Sequence, residues 1–196
     1  MLSKSEEKTL LIATPLPGVD LVVIEDASPF MSGSGGRQLR KWMHQMPCCE
    51  NPCSVRMGDG RWRCKCCSHW FSVSHSGCLL ALARAEKPVG VDVQHFKLRP
   101  AALRWLARIS AIKVATIPHW AAMEAILKAI GQAWNRPISG WIELPEKLSE
   151  YSILQLSSDV RVELCMSTVE GAALALCQVG EDILSECSHQ FPVAAN

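Results

Sequence analysis

The sequence predicts an α/β or α+β protein of two similar halves, residues 1–85 and 86–196. Three observations lead there. Short β-rich runs recur near both ends of the chain, separated by turn residues. Two segments with helical spacing of apolar residues lie between them, so strands and helices interleave. The tripeptides Gly18-Val19-Asp20 and Gly90-Val91-Asp92 repeat one pattern in the two halves, as a duplicated unit would.

Taken in order, Leu10-Leu11-Ile12-Ala13 and Leu21-Val22-Val23-Ile24 read as short strands divided by Pro15, Pro17 and Gly18. The Ser32-Gly33-Ser34-Gly35-Gly36 turn leads into a segment of helical spacing from Arg37 to Gln45. Residues 47–65 carry Pro, Gly, Asn, Asp and clustered Cys, and read as loop. Trp70 to Val73 and Cys78 to Arg84 read as strands around a Ser-His-Ser turn, and Val89 to Val93 as a further strand. Pro100 to Ile112 is a helix with Pro at its start and Leu103, Leu106 and Ile109 on one face. His119 to Ile130 is a second helix ended by Gly131. Three β-rich runs follow, Tyr151–Leu156, Val160–Met166 and Ala172–Val179, the last two as a hairpin, with a frayed tail from Glu181.

Bulk properties bound the function. The chain has 196 residues, 48% hydrophobic and 20% charged, enough for a sizeable core. A net charge of +1 gives no global pull toward nucleic acid or membrane, so any anion site must be local. The N-terminal residues are charged and lack the apolar stretch of a secretory signal, and no run approaches the roughly 20 apolar residues of a membrane helix. The expectation is a cytoplasmic chain with reduced thiols.

Three segments carry chemistry. Phe71 to Ser76 offers an imidazole and hydroxyls, Gly90 to Gln94 a carboxylate, and Trp120 to Gly131 a carboxylate and an ammonium on one helix face. Asp92 follows the apolar Val89-Gly90-Val91 and is expected at a strand end. Asp92 and Glu124, from separate elements, suit the hard oxygen demand of Mg²⁺ when phosphate and water complete the shell. For a single carboxylate the plain reading is a surface charge, and the Glu124–Lys128 spacing is also that of an ordinary helical pair. A serine hydrolase using Ser74, His75 and Asp92 is rejected, because Gly-x-Ser-x-Gly is absent and a serine next to its own histidine in sequence rarely has triad geometry.

Val73-Ser74-His75-Ser76-Gly77, Gly90-Val91-Asp92-Val93-Gln94 and Trp120-x-x-x-Glu124-Ala125-x-x-Lys128-Ala129-x-Gly131 resemble, in order and spacing, the signature segments of Sfp-type 4'-phosphopantetheinyl transferases. The likeness runs from about Gly60 to Gly131. It implies that family's fold, two α/β lobes related by a pseudo-twofold, working as a monomer with coenzyme A between them. It also implies Mg²⁺-dependent transfer of the phosphopantetheine arm of coenzyme A to a serine of an acyl or peptidyl carrier protein. The resemblance would make Asp92 and Glu124 the metal ligands, Glu124 also the base for the carrier serine, and Lys128 the ligand of the diphosphate. Ser74 and His75 would hold the nucleotide end, His75 at the 3'-phosphate, with Arg61 and Arg37 as upstream basic contacts. Attack at phosphorus needs neutralised oxygens, a positioned nucleophile and a stabilised leaving phosphate, and these residue types supply them.

Two positions depart from the family pattern. Met123 stands where a lysine usually precedes the helical glutamate, and the loss of such a charge-assisted contact is worth about 1.5–3 kcal/mol. Gln94 replaces a frequent second carboxylate. The alternative is therefore a catalytically impaired homologue that binds a carrier protein.

The ten cysteines raise a separate possibility. Cys49, Cys53, Cys64 and Cys67, with Cys48, Cys66 and His69 nearby, have spacings that can hold zinc. A zinc module for nucleic acid, using Arg56, Arg61, Arg63 and Lys65, is the rival class. The neutral total charge and the three motifs outside the cluster favour incidental thiols, with Cys78, Cys165 and Cys177 as small core hydrophobes. Trp105, Trp120, Trp134 and Trp141 read as packing residues.

Overall fold

Alternating apolar residues in the N-terminal half fold into one antiparallel sheet. In the computed structural model, which describes residues 8–26, 37–38, 41–42, 54–57, 59–97, 99–132, 142–156 and 160–180, this sheet has six strands. They are β1 (Lys8–Leu11), β2 (Val19–Glu25), β3 (Ser54–Arg56), β4 (Trp62–Cys64), β5 (Trp70–Ser76) and β6 (Leu79–Ala85). Their spatial order is β1-β2-β6-β5-β4-β3. The second sheet, β7 (Val89–His95), β8 (Tyr151–Gln155), β9 (Arg161–Val169) and β10 (Ala172–Val179), is ordered β7-β10-β9-β8 and also antiparallel. Helix α1 spans Pro100–Ile109 and α2 spans Ile117–Ile130. The protein is thus α+β, with two antiparallel sheets. Among the described residues no helix is long and apolar enough to cross a membrane.

Several expectations shift by physical causes visible here. The Ser-His-Ser segment is strand, not turn: β5 runs to Ser76 and the reversal falls on Gly77, whose φ is 56°. The serines were open to misreading because their hydroxyls, more often seen in turns, here face the interior. Residues 54–56 and 62–64 form a hairpin rather than loop, since Met57 N–H donates to the Arg61 carbonyl and Gly60, at φ 90°, closes the turn. Asp92 lies in the middle of β7, not at its end. Helix α1 stops at Ile109, where Ser110 N–H returns to the Leu106 carbonyl. Helix α2 starts two residues before His119, because Thr116 and His119 form a reciprocal cap. The calls on Trp134, Trp141 and the tail from Glu181 lie outside the described residues.

Among the described residues the core has three parts. Leu21, Val23, Leu79, Ala81, Ala83, Val91, Val93, Leu174 and Leu176 fill the space between the two sheets. Trp42, Phe71, Leu80 and Leu82 cover the opposite face of the first sheet, with Trp42 edge-on to Phe71. Helix α2 lies on the other face of the second sheet through Ala121, Ala122, Met123, Ala125, Ile126 and Ala129. Cys177 is fully buried in that layer, and burial pushes its thiol far above the ordinary range, as expected of a packing residue. Its alanines let the helix approach closely, and Gly90 sets the limit. A Cβ on Gly90 would fall 1.9 Å from the Ala125 carbonyl oxygen and 2.7 Å from the Ala129 nitrogen. Both neighbours are helix backbone and cannot turn aside, so Gly90→Ala is expected to destabilise by about 3 kcal/mol or more. Urea unfolding followed by circular dichroism measures it.

Candidate active site

The two sheets meet along a line of hydroxyls. On β5, Ser72, Ser74 and Ser76 share one face and are buried, whereas His75 points the other way and is exposed. Strand β7 is an edge strand, and an edge inside a protein needs partners for its backbone groups. The serines supply them. Val91 N–H donates to Ser72 Oγ at 3.0 Å and His95 N–H to Ser76 Oγ at 3.1 Å. Between these, Ser74 Oγ donates to Asp92 Oδ1 at 2.6 Å.

Helix α2 brings the next group. Lys128 lies one turn after Glu124, and its ammonium donates to Asp92 Oδ1 at 2.8 Å and to the Val91 carbonyl at 3.0 Å. Asp92 is 5% exposed, so its charge is taken from water and held by an ion pair and a hydroxyl. Its second oxygen, Oδ2, is buried without a hydrogen-bond partner. Such a hard anionic oxygen suits a divalent cation. Among the described residues no group of three or more His, Cys, Asp or Glu gathers. A cation on Oδ2 would therefore take most of its ligands from water and from the oxygens of a bound ligand. Glu124 is half-buried on the same helical face as Lys128.

Beside this cluster lies a cavity of about 320 Å³, lined by Gly60, Arg61, Trp62, Phe71, Leu127, Lys128 and Gln132 among others. Arg61 is firmly held there. Its guanidinium pairs with Asp59, donates to the Ala129 carbonyl at 3.3 Å and sits 4.6 Å over the Trp70 ring. It thereby satisfies the C-terminal end of α2, where backbone carbonyls favour a cation. Gly131 ends the helix at φ 73°, and a Cβ there would meet Asp59 and Arg61.

The fold therefore brings together Ser74, Asp92 and Lys128, with Arg61 across the cavity. His75 stands on the opposite face of β5 from Ser74, and Arg37 is exposed in a helical stretch. The two residues that depart from the resembled motifs have definite places in the structure. Met123 is completely buried in the core on α2, so that position packs rather than faces the cavity. The Gln94 amide is buried and donates to Ser76 Oγ at 3.3 Å. Lys113, a candidate replacement cation, is exposed with its N–H on Glu146, and does not line the cavity; Arg136 lies outside the described residues. Sequence reasoning noted the hydroxyls of Ser72 and Ser76 without assigning them a role and missed Asp59, although the alternation of serine through residues 72–76 was a readable signal for a one-faced strand.

Of the cysteine cluster, Cys49 and Cys53 lie outside the described residues. Cys64 is buried, Cys66 exposed, and the His69 ring nitrogen Nδ1 is turned to the Cys67 carbonyl at 3.1 Å. Set beside known proteins, the chain matches no family model and no curated protein.

The cluster predicts coupled energetics. Lys128→Met leaves the Asp92 charge without its counter-ion and is expected to cost about 2–3 kcal/mol, the partial exposure of the ammonium moderating the loss. Adding Asp92→Asn removes the stranded charge, so the double variant should be more stable than the sum of the two single losses by about 1 kcal/mol or more. A double-mutant cycle of urea midpoints checks this.

Proposed function

We propose that the protein is a 4'-phosphopantetheinyl transferase of the Sfp type, a cytoplasmic monomer with that family's two-lobed pseudo-twofold fold. The observation that carries the reading is convergence. Three motifs separated in sequence close into one hydrogen-bonded cluster, with Ser74 on Asp92 at 2.6 Å and Lys128 on Asp92 at 2.8 Å. A cavity opens beside it, with aromatic and cationic walls suited to a nucleotide diphosphate.

In this reading Asp92 and Glu124 hold Mg²⁺, which when bound supplies charge neutralisation at the diphosphate. Lys128 takes a diphosphate oxygen from the cavity side. Glu124 accepts the proton of the carrier-protein serine, directly or through water, as that oxygen bonds to the phosphorus bearing the pantetheine arm. The bond to the other phosphate breaks, and adenosine 3',5'-bisphosphate leaves. Exposed His75 takes the 3'-phosphate, with Arg37 and Arg61 as flanking cations. Ser74 has a different task from the one the resemblance gives it: its hydroxyl orients Asp92. The seated, neutral Gln94 favours a second reading, an impaired homologue that binds the carrier protein and transfers little.

Intact-mass analysis of apo acyl and peptidyl carrier proteins with coenzyme A and Mg²⁺ tests both. A phosphopantetheine mass gain is expected, lost with EDTA and reduced at least about 100-fold in Glu124→Ala, as for removal of a general base. Carrier binding without any mass gain would establish the second reading instead.

A further inference from the structure

Lys128 has two places to be. Its ammonium sits on Asp92 Oδ1 and on the Val91 carbonyl, yet the residue also lines the cavity and its side chain is 31% exposed. A flexible four-carbon chain lets the charge swing between the buried carboxylate and the cavity. Asp92 Oδ1 already accepts from Ser74 and Lys128, whereas Oδ2 is buried with no hydrogen-bond partner.

We propose that Lys128 is a built-in counter-ion that closes the divalent-cation seat on Asp92 until a diphosphate in the adjoining cavity draws its ammonium away. The inference rests on the proposed function for the identity of the two ligands. An ammonium on Oδ1 and a divalent cation on Oδ2 of one buried carboxylate repel each other, so the cation alone binds against that repulsion. A diphosphate reverses the balance, because its oxygens attract the ammonium into the cavity and add ligands for the cation. Linkage then makes the effect mutual: each ligand raises the affinity for the other by the same factor. Lys128 is thus the residue that orders loading, in addition to gripping the diphosphate.

The test uses Mn²⁺ alone as probe, with its bound fraction read from the paramagnetic resonance signal of the free ion. Lys128→Met and Lys128→Gln are expected to bind Mn²⁺ about tenfold or more tightly than the unaltered protein, and Asp92→Asn to abolish that binding in either background. Equal Mn²⁺ affinity in the unaltered protein and both variants overturns the proposal. Should neither variant fold, the unaltered protein decides it. Coenzyme A, corrected for its own affinity for Mn²⁺ without protein, is expected to tighten binding about tenfold, and no tightening overturns the proposal. Failure of the transferase reading looks different: carrier proteins stay unmodified while Lys128→Met still gains Mn²⁺ affinity.

Discussion

Everything near the site depends on how the edge of β7 is satisfied. A strand edge buried against another sheet carries backbone groups that neither water nor a neighbouring strand can reach, and leaving them bare costs about 1–3 kcal/mol each. Here the second sheet ends at β7, and the first sheet covers that edge with serine hydroxyls instead of backbone. Hydroxyls both accept and donate. Ser72 and Ser76 therefore accept from β7 amides, while Ser74, between them, donates to a carboxylate. A buried anion becomes tolerable within a seam already built for polar groups.

Helix α2 completes the arrangement from the other side. Because Gly90 and the helix alanines allow backbone to approach backbone, Lys128 is close enough to reach both the Val91 carbonyl and Asp92. A bulkier contact would lift the helix and strand the ammonium in solvent. The C-terminal end of the same helix is fastened to the β3–β4 hairpin by Arg61 and Asp59, so one wall of the cavity is tied to the element that carries the other. The geometry of the charged cluster is a product of close backbone packing along the C-terminal half of α2 and of the fastening of that same end by Arg61.

Much of this could be read from the residues, and the failures share a cause. Strands β2, β6, β7, β9 and β10 and the bodies of both helices follow from apolar periodicity, which local sequence carries well. The motifs marked Ser74, Asp92 and Lys128, which the fold joins by hydrogen bonds. What escaped was set by partners distant in sequence. Ser72, Ser74 and Ser76 have the alternation of a strand but the composition of a turn, and only β7 explains why hydroxyls should face inward. The β3–β4 hairpin is too short and too polar to announce itself before it pairs with β5. Thr116 and His119 close a helix start that apolar spacing placed later. The burial of Met123 in the core was likewise not announced by its position in the motif.

The seam also has a kinetic meaning. Strands β5, β6 and β7 follow one another along residues 70–95, joined by short reversals, so the junction between the two sheets is made from contiguous chain. Contacts of short sequence separation close early, because little loop entropy is lost. By contrast β10, the neighbour of β7, arrives from far down the chain. By the separation of their partners along the chain, the serine–β7 contacts are the local ones and the pairing of β7 with β10 the distant one, so β7 is the strand onto which the C-terminal hairpin docks.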